Sequence, residues 1–83
     1  MAHTPLRFSA HALRRMELRG ITREEVGAVL ERDEGVLQGS TGRWAHEATV
    51  GGRWITVIRR RNGTVHTVAP GRGTGEERLL WRP

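Results

Sequence analysis

Residues 43–69 read RWAHEATVGGRWITVIRRRNGTVHTVA. Apolar and polar residues alternate through this stretch, β-branched and aromatic side chains are frequent, and the dipeptides Gly51-Gly52 and Asn62-Gly63 interrupt the pattern. Both dipeptides accept positive φ and suit two-residue hairpin connections. The stretch therefore predicts antiparallel strands near 43–50, 53–60 and 64–69, with a further short strand near 36–39. A two-residue loop fixes register, so Val57 falls opposite His46 and Val68, and Arg59 opposite Trp44 and His66. One face then carries Val50, Ile55, Val57 and Val68, with Trp44, Arg59, His46 and His66 toward its open end. The other, with Arg43, Ala45, Glu47, Thr49, Trp54, Thr56, Ile58, Arg60, Val65 and Thr67, is more polar and is expected to face water.

Upstream of the strands the period changes. Ser9 is a good N-cap, the chain runs without Gly or Pro to Gly20, and Gly20 is a natural C-terminal stop. Thr22 and Glu25 have capping-box spacing, and Val26, Val29 and Leu30 form an i, i+3, i+4 stripe. Two helices result, the second ending near Arg32 before Asp33-Glu34-Gly35. The predicted fold is α+β: two N-terminal helices packed on one face of a three- or four-stranded antiparallel β-meander. Residues 1–69 form one domain, and 70–83, with Gly71, Gly73 and Gly75, form a linker and tail.

A chain of 83 residues has room for one small domain, because at this size only about 60–65% of the unfolded surface is buried. A dinucleotide-binding unit with a second domain is excluded. There is no cysteine, which removes disulfides, thiolate zinc sites and a cysteine nucleophile. No apolar run approaches a bilayer span, and Met1 to Arg7 lack the apolar segment of a secretory signal, so a cytoplasmic location and no membrane partner are expected. All 14 basic residues are arginine and the formal charge is +5. Residues 1–38 are neutral overall, and the whole excess lies in 39–83. A one-sided positive field points to a polyanion such as RNA.

Three constellations could carry chemistry. His11, Arg15 and Arg19 recur every four residues along one helix stripe. An imidazole can move a proton at a 2′-hydroxyl or a 5′-oxygen while guanidiniums hold the phosphorane, so the stripe suits RNA cleavage; it also suits a merely solvated cationic face. Trp44, Arg59 and His66, cross-strand neighbours in the predicted register, suit a nucleotide pocket with a stacking ring, or equally a packing cation–π contact. On the polar face Glu47 and Thr67 could act as base and phosphate donor if that face is open; otherwise the threonines serve the strand and Glu47 pairs with arginine. The run Arg59-Arg60-Arg61 alternates faces, so it cannot all meet one ligand, and reads as a hairpin tip. His3, His11, His46 and His66 have no metal-ligand spacing, and neither a metal nor a cofactor is expected.

The stretch from Phe8 to Thr22, with Ser9-Ala10-His11-Ala12, Arg15-Met16 and Arg19-Gly20-Ile21-Thr22, resembles the opening of a small bacterial family, domain of unknown function forty-two fifty-eight. The strand His66-Thr67-Val68 fits the end of its meander, and the match spans most of residues 8–69. The resemblance implies a fold similar to the RelE-like toxins, within the barnase, EndoU and colicin-type nuclease group. It implies a metal-independent endoribonuclease with His11, Arg15, Arg19 and Thr67 as its motif, working beside a neutralising antitoxin-like protein. The competing expectation is an RNA-binding or partner-binding module with the same cationic surface and no turnover.

Overall fold

The computed structural model describes residues 6–39 and 41–71. Of the linker and tail read from sequence at 70–83, Pro70 instead belongs to the last strand, paired with Ile55, and the residues beyond Gly71 lie outside the described residues. Helices α1 (Ala10–Arg19) and α2 (Arg23–Arg32) precede strands β1 (Val36–Gln38), β2 (Arg43–Val50), β3 (Arg53–Arg59) and β4 (Val65–Pro70). The strands pair antiparallel in sequence order as a four-stranded meander. The α+β architecture read from the sequence is the one observed, with β1 as its fourth strand. Among the described residues no helix is long and apolar enough to cross a membrane.

The helix ends are closed by the residues expected to close them. Ser9 Oγ accepts from the Ala12 N–H at 2.9 Å, and Gly20 ends α1 at φ +65°, a conformation without penalty only for glycine. Thr22 and Glu25 exchange the two capping-box bonds, at 2.8 and 3.1 Å. α1 packs on β4 and α2 on β2 and β3. Between them lie Ala12, Met16, Ile21, Val26 and Val29 from the helical side and Ala48, Ile55, Val57, Val65 and Val68 from the sheet.

Arg53 ties the two layers together. Its guanidinium pairs with Glu25 at 2.9 Å and donates to the Arg19 and Gly20 carbonyls. Past Ala45 no strand among the described residues flanks the outer edge of β2, and the end of α2 covers it. Asp33 accepts from the Glu47 N–H at 2.6 Å, and Arg32 donates to the Thr49 carbonyl. Side chains thus occupy backbone groups that would otherwise invite another strand.

The Gly51-Gly52 hairpin has the predicted register throughout. The Asn62-Gly63 hairpin does not. The Gly63 N–H bonds to the Arg60 carbonyl and the Arg60 N–H to the Thr64 carbonyl, with Gly63 at φ +93°. This is a three-residue loop: a turn over Arg60–Gly63 closed by a left-handed glycine. It shifts pairing by one residue at the tip, so Arg59 faces Val65 and not His66. A bulge between Ile58 and Arg59 then restores the expected pairs, Ile58 with Thr67 and Val57 with Val68.

His66 is the extra residue of that bulge, and Val65 enters the core fully buried. Burial explains the choice, because the two-residue loop would have placed an imidazole inside and a valine outside. Val65 also receives the chain before α1: its N–H donates to the Arg7 carbonyl, and its carbonyl accepts from the Ser9 N–H.

The face away from the helices is less open than its polarity suggested. Thr56 and Ile58 are both buried there. The Thr56 hydroxyl lies within hydrogen-bond reach of Glu47 Oε1 at 3.3 Å and the Gly71 carbonyl at 3.1 Å. Thr56 is thus an internal donor, and among the described residues Glu47 takes this hydroxyl, not an arginine, as its partner.

Candidate nucleic-acid interface

The bulge in β4 positions the chemistry-bearing groups. As its unpaired residue, His66 turns its ring to α1 and to the loop at the end of β3. Its ring centroid lies 6.2 Å from that of His11, with 36° between the planes, and its Nδ1 accepts from Arg60 Nε at 3.2 Å. Ser9 Oγ donates to the His66 carbonyl at 2.8 Å, so the residue that caps α1 also fixes the bulge. Burial, with Arg43, Arg60 and His11 close by, holds the His66 imidazole below its usual range and so in its neutral form. A ring whose Nδ1 accepts from a guanidinium carries its proton on Nε2.

Arg60 continues the cationic surface away from the helices. Arg43, Arg60 and Arg61, with Thr41, Gly42 and Asn62, line a shallow hollow of about 290 Å³ where the turn before β2 meets the β3–β4 loop. Among the described residues no acidic side chain lines it, and Arg53–Glu25 is the only ion pair.

The helix stripe is arranged differently from its spacing. His11 is exposed and Arg15 half-buried. Arg19, also exposed, stands two turns from His11, about 12 Å along the axis, at the end fastened by Arg53. His11 therefore has His66 beside it, while Arg19 lies at the far end of the helix. Thr67 is half-buried on β4 opposite Ile58, next in the chain to the bulge.

Comparison with family models, curated proteins and solved structures finds no match. The site is therefore read from its own residues.

Trp44, Arg59 and His66 do not form one pocket. Arg59 lies over the Trp44 ring, 5.7 Å from its centroid, and donates through Nε to His46 Nε2 at 3.2 Å. His46 is buried, and its Nδ1 donates to the Asp33 carbonyl at 2.8 Å. Trp44, Arg59 and His46 thus make a packed stack between β3 and the end of α2, while the bulge sends His66 elsewhere.

Sequence reading missed the partnership of His66 with Arg60 and His11, and the grouping of Arg43, Arg60 and Arg61. One signal pointed to them. Val65 and Val68 are three apart, which a regular strand cannot place on one face, and a bulge between them frees the residue following Val65.

Proposed function

We propose that this protein is a metal-independent endoribonuclease whose reacting groups are His11 and His66, with Arg15 and Arg60 on the scissile phosphate. The observation that carries this reading is the pair of imidazoles 6.2 Å apart beside Arg60. Cleavage by transphosphorylation needs one group to take the proton of the 2′-hydroxyl and another to protonate the departing 5′-oxygen. The 2′-oxygen bonds to phosphorus, the bond to the 5′-oxygen breaks, and a 2′,3′-cyclic phosphate remains. His66, held neutral, takes the first proton; His11, exposed beside it, supplies the second. Guanidiniums stabilise the charge on the phosphorane. Thr67 positions the strand end, and Arg19 meets a neighbouring phosphate.

The second reading is an RNA-binding module without turnover. It is favoured by the Arg60 contact, which occupies the ring nitrogen a base would use, and by the shallowness of the adjoining hollow. Under either reading the partner is RNA. A neutralising protein, implied by the toxin resemblance, would cover exposed apolar surface such as Leu13 and Leu18 on α1 or Val36 and Leu37 on β1.

The test is incubation of single-stranded RNA with the protein in EDTA. Fragments ending in a 2′,3′-cyclic phosphate, formed from RNA and not from its 2′-O-methyl counterpart, support the nuclease. Tight binding of both with neither cut supports the binding module.

A further inference from the structure

The hollow beside β2 is built from two turns that meet closely. Gly42 adopts φ +70°, and the stem of Arg61 crosses it: a Cβ at position 42 would stand 3.2 Å from Arg61 Cδ. The glycine thus lets the β3–β4 loop lie against the turn before β2. The Asn62 side chain accepts from the Thr64 N–H at 2.9 Å and fixes that loop. Arg43, at the start of β2, brings to three the arginines that line the hollow, with no carboxylate among the lining residues. Arginines that line one hollow without an acidic residue beside them favour an anion with several oxygens, and planar forks match phosphate in particular.

Arg60 belongs to two sites. It lines this hollow, and its Nε donates to His66 Nδ1. We propose that the hollow is a phosphate-binding site for the RNA backbone, and that its occupant draws Arg60 off His66 and bares the Nδ1 lone pair. Phosphate oxygens are charged acceptors, stronger than a neutral ring nitrogen, so the guanidinium transfers to the ligand. The empty protein then keeps its base covered, and the incoming RNA uncovers it. The phosphate site stands without cleavage, whereas the uncovering of a base rests on the nuclease reading above.

Two probes separate a free phosphate from a polymer: inorganic phosphate, and a 2′-O-methyl oligouridylate that cannot be cleaved. Nitrogen-15 NMR of the whole protein reads the Arg60 and Arg61 Nε groups and both His66 ring nitrogens during titration. Saturable shifts at both arginines with either probe, tighter for the oligonucleotide, are expected, and Arg43→Gln and Arg61→Gln should each weaken binding by about tenfold. Both positions lie outside the core, so the variants keep the fold. The His66 Nδ1 signal should move at the same probe concentrations. Tighter binding of inorganic phosphate than of the oligonucleotide would make a free anion, not RNA, the occupant. Unsaturable shifts, or affinity equal to the parent's in both variants, would overturn the site. Saturable binding with the His66 nitrogens unmoved would overturn the coupling alone. Binding and coupling with RNA left uncut would uphold the site while removing the nuclease.

Discussion

Gly35 and His46 touch so closely that no side chain fits at position 35: a Cβ there would stand 2.5 Å from the His46 ring carbon Cε1. Gly35 also adopts φ +88°, and its N–H donates to the Asp33 carboxylate at 2.9 Å. The loop after α2 therefore depends on one glycine to lay its backbone over a buried imidazole. Gly35→Ala should cost roughly 2–4 kcal/mol, from left-handed strain and overpacking together. Gly20→Ala, with φ +65° but open space around it, should cost only about 1 kcal/mol. Urea denaturation of the two variants checks the contrast, and equal losses would contradict it.

Arg59 is held by Trp44 and His46, which makes it a packing residue. Arg59→Lys should lower stability by about 1–2 kcal/mol through the lost stack and the lost Nε hydrogen bond. Its RNA affinity, measured at a temperature where the variant is folded, should stay within about twofold of the parent. A large affinity loss with stability unchanged would return Arg59 to the ligand.

Acid should weaken the fold in two stages. The unfolded chain protonates His66 near pH 6.5, whereas the folded one does so only at lower pH. Between those values the unfolded state holds more protons, so the contribution is complete above about 6.5 and is lost as pH falls through the window. Asp33, lowered by the Glu47 and Gly35 N–H groups, and Glu25, lowered by the Thr22 N–H and then by Arg53, act further down. Their contributions are present above the ordinary carboxylate values and are lost as pH falls through the folded ones. Arg60→Ala removes one of the charges facing His66 and should raise its titration partway, because burial, the larger cause, remains. NMR titration of the ring proton checks this; an unmoved midpoint would contradict it.

If backbone contacts dominate RNA binding, log affinity should fall linearly with log salt, with a slope near −0.7 for each single-strand phosphate engaged. Arg61→Gln should shrink that slope by about one contact. Binding insensitive to salt would point to a partner other than RNA.

The fold was legible where local chemistry and burial agreed. Ser9, Gly20, Thr22 and Glu25 marked both helices, and Gly51-Gly52 set one hairpin register to the residue. At Asn62-Gly63 the same dipeptide serves either a two-residue turn or the end of a three-residue one, and only the burial of Val65 selects between them. That one-residue difference moved His66 from Trp44 and Arg59 to Arg60 and His11, so the candidate site was legible only in part. His11 was visible on its helix, but its neighbour was hidden by the bulge. Thr56 and Ile58 were misjudged for a similar reason: alternation assigns a face, and burial of that face depends on groups distant in sequence, here including Gly71.

Under the nuclease reading, His11 and His66 share one scissile phosphate. The rate of single-stranded RNA cleavage in EDTA by the parent, His11→Ala and His66→Ala, with melting temperatures recorded alongside, tests this. Loss of at least about a hundredfold in each variant, with the melting temperature of His11→Ala unchanged, is the predicted result. Full activity in either variant, or no cleavage by the parent, would contradict it.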